Sequence, residues 1–142
     1  MQDAQATLVS DWFEVDQKIV DGFADAINDH QFIHVDPARA KAETAYGGTI
    51  VHGFYLLSIL TAFARSALPP PAPGSVEVNY GFDKVRFLAP VPVGSRLRAS
   101  FALQTETPKA GGMLRNYAVS VHIEGTDRPA LAASWLVLET RG

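Results

Sequence analysis

The stretch TIVHGFYLLSILTAFARSALPPP, residues 49–71, decides the fold. From Ile50 to Ala67 it is apolar nearly all round, which predicts a helix enclosed on most sides rather than one lying on a surface. Its length approaches that of a membrane span, but His52, Gly53, Ser58, Thr61 and Arg65 interrupt it, so a buried helix of a soluble domain is expected and no membrane partner. Pro69, Pro70 and Pro71 end it, because proline has no amide proton to continue the ladder.

Downstream of the prolines the apolar period changes toward two. Segments 82–87, 96–104, 113–124 and 130–139 read as strands, linked by turn-rich stretches at 90–94, 108–112 and 125–129. Consecutive strands with short links predict an antiparallel meander. One apolar helix followed by a meander predicts an α+β fold with an antiparallel sheet wrapped around a long central helix. Upstream, 11–15 is a candidate strand, and Asp16 is the expected N-cap of a helix reaching Ile27 with Ile19, Val20, Phe23, Ala24 and Ile27 on one face. Asp36 followed by Pro37 predicts a second helix start, running to Thr44.

The chain has 142 residues, 47% of them hydrophobic, and no break in composition, so a single domain spanning 1–142 is expected. A net charge of −3 with scattered Lys and Arg argues against a nucleic-acid partner. The absence of cysteine excludes disulfides, thiolate metal sites and a cysteine nucleophile. The polar N-terminus, lacking both a basic start and an apolar core, points to a cytoplasmic protein.

Two segments carry chemistry. The first is Asp29-His30-Gln31-Phe32-Ile33-His34, and the second is His52-Gly53 at the head of the apolar run. Together they offer an acid, a base and a backbone donor, which proton transfer beside a developing oxyanion requires. Asp29 and His34 are five apart: a helix would set them roughly 140° apart and a strand on opposite faces, so an irregular loop is needed for both to converge. His30 and His34 have the spacing of an HExxH zinc site, but Gln31 stands where the glutamate base belongs, so no metal is expected. His52 could touch substrate, although a histidine at a helix start more often hydrogen-bonds locally to hold its turn. Tyr46, Phe54 and Tyr80 could line an acyl pocket, and Lys84 or Arg86 could pair with a carrier phosphate.

The segments DHQFIHVDPARA at 29–40, YGGTIVHGF at 46–54 and NYGFDKVRFLAPVPVGSRLR at 79–98 together resemble the MaoC-like dehydratases of the hotdog fold. That group includes the (R)-specific enoyl-CoA hydratases, and the likeness is strongest to its nodulation-protein-N-like branch. The resemblance places Asp29 and His34 on the hydratase acid/base pair and the Gly53 amide on the oxyanion donor, with Ser58 near the active site. Asn28, Gln31 and Phe32 depart from the Gly, Asn and Pro of the hydratase signature. What the resemblance implies is addition of water to a 2-enoyl thioester of CoA or an acyl carrier, or the reverse, giving a (3R)-hydroxyacyl thioester. It implies no cofactor and a homodimer or higher homo-oligomer. A hotdog thioesterase and a non-catalytic acyl-binding subunit are the alternatives.

Overall fold

A computed structural model describes residues 6–141. Two short strands, β1 (Leu8–Val9) and β2 (Phe13–Glu14), precede helix α1 (Gln17–Ile27). The short helices α2 (Phe32–Val35) and α3 (Pro37–Glu43) follow, then α4 (Gly53–Ser58) and α5 (Leu60–Ala67). The chain closes with four long strands, β3 (Ser75–Phe87), β4 (Arg96–Lys109), β5 (Gly112–Ile123) and β6 (Leu131–Arg141).

The caps act where the sequence places them. The Asp16 carboxylate accepts from the Ile19 amide at 2.9 Å, satisfying an N–H that the first turn of α1 leaves free. Asp36 does the same for Arg39 at 3.1 Å, with Pro37 as the first residue of α3. Helix α1 ends at Asn28, whose φ of 57° is left-handed, a conformation asparagine tolerates better than most residues.

The long central helix is two helices. Residues 50–52 are extended: Ile50 bridges Pro92, and the Val51 amide donates to the Val91 carbonyl at 2.8 Å. Helix therefore begins only at Gly53, because tertiary hydrogen bonds override the apolar pattern. A second departure lies at Ile59, whose ψ of −4° separates α4 from α5. The Ser58 hydroxyl donates to the Phe54 carbonyl at 2.8 Å, a back-bond of the kind that bends helices.

The sheet is antiparallel with strand order β1-β4-β5-β6-β3, and β2 also pairs with β4. The last three strands form the expected meander. The first long strand does not continue it: β3 crosses over to pair with β6 and becomes an edge. It also begins at Ser75, seven residues before the predicted start, and register shifts between Asn79 and Gly81 and between Phe82 and Lys84 account for the broken alternation in the sequence. Strikes of alternate burial in β4, β5 and β6 send Leu97, Ala99, Phe101, Val119, Val121, Leu131 and Trp135 into one core with Leu56, Leu60 and Phe63 of α4 and α5. This is the helix-in-sheet arrangement expected of a hotdog fold.

Candidate active site

The loop between α1 and α3 is a turn followed by one turn of helix, α2, rather than wholly irregular chain. The turn carries Asp29 and α2 carries His34, so the two can meet despite their spacing. Donor atoms of Asp29, His34 and His52 all lie within 4.8 Å of one another.

His34 is 7% exposed. Its Nδ1 lies 2.7 Å from the Ile50 carbonyl oxygen. Since a carbonyl can only accept, Nδ1 carries the proton and Nε2 presents a lone pair. Burial pushes the imidazole pKa below 6.5, the Ile50 hydrogen bond opposes that shift, His52 adds to it and Asp29 opposes it. The result is a neutral imidazole with a defined tautomer, the form a general base requires. Its backbone is tied as well: the Gln17 side-chain amide donates to the His34 carbonyl at 2.7 Å, while Gln17 Oε1 accepts from the Thr49 hydroxyl at 2.6 Å.

Asp29 is more open. Its amide donates to the Ala24 carbonyl at 3.0 Å and its carboxylate accepts from the Gln31 amide at 3.3 Å. The carboxylate is 41% exposed, so it can reach a molecule arriving from solvent. His52, 2% exposed, sits behind both groups, its ring stacked on His34 at 3.8 Å between centroids and its Nε2 3.1 Å from the Asp29 carbonyl oxygen.

Gly53 follows as the first residue of α4, where the amide has no partner within the helix. A Cβ on Gly53 would stand 3.0 Å from the Phe87 ring, so any larger residue makes that ring shift where β3 approaches this helix start. Of the other residues expected at the site, Phe54 is the most exposed aromatic beside it, and Tyr46 lines a shallow groove with Gln17, Gly48 and Thr49. Ser58 spends its hydroxyl proton on the Phe54 carbonyl. Tyr80 lies seven residues along β3 from Phe87, roughly 20 Å at strand rise, under the Lys109 ammonium. One protomer thus does not bring Tyr80 to the Asp29–His34 pair. Lys84 and Arg86 are exposed on the same edge strand.

The departures from the hydratase signature have local explanations. Asn28 replaces a glycine at a left-handed position, where asparagine is the best tolerated substitute. Gln31 stands at the N-cap of α2 and makes no capping hydrogen bond, and Phe32 takes the first helical position, where proline is favoured. Phe32 has other work, since the Arg39 guanidinium lies 4.0 Å over its ring.

His30 does not join the cluster, because its Nε2 is 2.7 Å from Asp25. Two imidazoles and a carboxylate, Asp29, His34 and His52, are nonetheless a donor set that metals accept. Their arrangement is unsuited to sharing one ion. The two rings are stacked at 23° between planes, so their in-plane lone pairs do not converge at the roughly 2 Å of a metal–imidazole bond. Sequence reasoning missed Gln17, Thr49, Phe87 and the Ile50 carbonyl, which no residue pattern distinguishes from ordinary helix, turn and strand positions.

The chain is similar to known proteins in sequence and in fold. A family model described as a MaoC like domain matches residues 2–125. Nodulation protein N of Rhizobium leguminosarum bv. viciae is 48% identical over 130 residues, covering 91% of this chain and 81% of that protein. The 3-hydroxyacyl-thioester dehydratase Z of Mycobacterium tuberculosis is 42% identical over 129 residues, covering 90% and 84%. Among solved structures, the (R)-hydratase from A. caviae involved in PHA biosynthesis superposes with a TM-score of 0.72 at 23% identity, covering 96% of each chain. With its helix-in-sheet fold, its buried histidine beside an aspartate and these matches, the chain belongs to the MaoC-like dehydratase family.

Proposed function

We propose that the chain is a hydratase/dehydratase acting on a 2-enoyl or 3-hydroxyacyl thioester of CoA or an acyl carrier, with a (3R)-hydroxyacyl product in the hydration direction. The observation that carries this reading is the buried neutral His34, with Nδ1–H fixed on Ile50 and Nε2 free beside the open carboxylate of Asp29. Likeness to the 3-hydroxyacyl-thioester dehydratase of Mycobacterium tuberculosis supports the same substrate class.

In the hydration direction His34 Nε2 takes a proton from water as the water oxygen bonds to the β-carbon. The π pair moves to the thioester oxygen, and the Gly53 N–H receives the developing negative charge. Asp29 orients the water and relays the proton taken up by His34 to the α-carbon, so the enolate collapses to the hydroxyacyl thioester and His34 returns to its neutral form. Microscopic reversal gives dehydration.

The functional unit in this reading is a homodimer or higher homo-oligomer. Strand β3 is a thirteen-residue edge with Val76, Val78, Tyr80 and Phe82 exposed, a surface suited to pairing with a second copy. Among the described residues no helix is long and apolar enough to cross a membrane, and a cytoplasmic location belongs to the same proposal.

The test is incubation with crotonyl-CoA and longer enoyl-CoAs, following enoyl absorbance and free thiol separately. Loss of the enoyl band without thiol release is expected, and Asp29→Asn and His34→Ala should each fold and lose nearly all turnover. Thiol release would instead assign a thioesterase, and no reaction at any chain length a binding subunit.

A further inference from the structure

We propose that His52 is a positioning residue for the reaction: one buried ring clamps the main chain of Asp29 through Nε2–H and braces the face of His34 by stacking. This rests on the reading of Asp29 and His34 as the acid/base pair and goes beyond it by naming what holds that pair in register.

The tautomer follows from the contacts. Nε2 faces the Asp29 carbonyl oxygen at 3.1 Å, which can only accept, so Nε2 carries the proton and Nδ1 is bare. Nδ1 is buried and has no hydrogen-bond partner among the described residues. The Asp29 carboxylate lies 3.9 Å from the same Nε2. His52 thus touches the Asp29–His34 pair from its buried side.

A purely structural account fits poorly. Burying an unpaired ring nitrogen costs stability, and a phenyl ring would fill the same space against Phe23, which meets the His52 ring edge-on at 5.1 Å, without that cost. What phenylalanine could not do is donate to the Asp29 carbonyl. Asp29 has the amide tie to Ala24 on one side of its α-carbon and the His52 tie on the other, so losing the second frees its peptide to rotate and its carboxylate to swing. A displacement of about 1 Å at a reacting group can cost on the order of 100-fold.

The ionisable groups acting on His34 are His52 from the start of α4 and Asp29 from the loop; the Ile50 carbonyl is its uncharged partner. His52→Phe keeps the ring stack and deletes the donor, whereas His52→Gln can keep a donor and deletes the stack. For His52→Phe the expectation is an unfolding midpoint no lower than that of the parent and kcat reduced about 10- to 100-fold with KM within about threefold. For His52→Gln the His34 titration, followed by imidazole nitrogen NMR, should move toward its ordinary value while part of kcat survives. In the parent the same spectra should show His34 protonated on Nδ1 and His52 on Nε2.

Parental kcat in His52→Phe would overturn the proposal, as would a kcat loss accounted for entirely by a lower folded fraction, or an Nδ1-protonated His52. These outcomes are separable from failure of the underlying reading. If Asp29→Asn and His34→Ala retain full turnover, the acid/base assignment fails, whereas if they are inactive and His52→Phe is unimpaired, only the positioning role fails.

Discussion

Replacing Gly53 by alanine tests packing and catalysis separately, because the structure assigns them different costs. The added methyl would sit 3.0 Å from Phe87 Cε1 and 3.2 Å from Cδ1 and Cζ, against about 3.5–4.0 Å for comfortable carbon contact. The ring must yield by several tenths of an ångström. It can, since Phe87 is 52% exposed, at about 0.5–1.5 kcal/mol for an off-rotamer side chain. Alanine recovers up to about 1 kcal/mol of helix propensity, less at a first helical position. These terms nearly cancel, so Gly53→Ala should unfold in urea within about 1 kcal/mol of the parent.

Activity should respond very differently. If the Gly53 N–H receives the thioester oxygen, a methyl beside it keeps the substrate at a distance, and losing one such donor costs about 2.7–4 kcal/mol, a hundredfold to a thousandfold in kcat. Initial rates with crotonyl-CoA alongside urea unfolding give both numbers. The Phe87→Ala background separates the two causes, because it removes the ring without touching the amide. Turnover within threefold of the parent in Gly53→Ala would refute the oxyanion role. Full rescue in the Phe87→Ala background would show that a displaced ring, not the methyl, had blocked the site.

Other consequences follow from single contacts. Burial depresses His34, so between its folded pKa and the ordinary 6.5 the unfolded chain binds more protons than the native one. Stability should therefore fall as pH drops below 6.5, and His34→Gln should flatten that dependence in thermal unfolding. The same depression predicts that the acid limb of the kcat/KM profile has its midpoint below pH 6.5. Gln31→Asn restores a competent N-cap to α2 and should raise stability by about 1 kcal/mol in urea, with His34 turnover unchanged or higher. Gly112→Ala would put a Cβ 1.8 Å from the Glu139 carbonyl oxygen, so the β5–β6 pairing must shift; a loss of about 1–3 kcal/mol is expected, and an unchanged unfolding midpoint would contradict the register.

Much of this molecule was legible where residue chemistry acts locally. Asp16, Asp36 and Pro37 mark helix starts because caps and ring constraints act within four residues. The meander of β4, β5 and β6 follows from alternating burial and from turns such as Ala110 and Gly111, both at positive φ as a two-residue hairpin demands. What was not legible depends on partners distant in the chain. Ile50 belongs by composition to the apolar helix, yet its carbonyl accepts from His34 and its amide donates to Ile33. Strand β3 reads as the first member of a meander, but its pairing with β6 is fixed by a crossover that no local pattern encodes.

The ties at the candidate site explain why its loop can depart from the hydratase signature and still bring Asp29 and His34 together. An Asn-Pro pair would preset the start of α2 from within the loop, through a side-chain cap and a fixed φ. Gln31 and Phe32 supply neither. Instead the loop is fastened from outside: Ile50 takes the His34 ring and gives its own amide position to Ile33, Gln17 links the His34 carbonyl to Thr49, and His52 takes the Asp29 carbonyl. Three of these contacts, on the Ile33, His34 and Asp29 carbonyls, use main-chain atoms of the loop, so they are indifferent to its side chains and tolerate Gln31 and Phe32. Segment 49–52 accordingly acts as the template for the loop that carries Asp29 and His34. That assignment makes a demand on the loop variants: Gln31→Asn should change stability far more than it changes the position of His34, because the cap and the template act on different atoms.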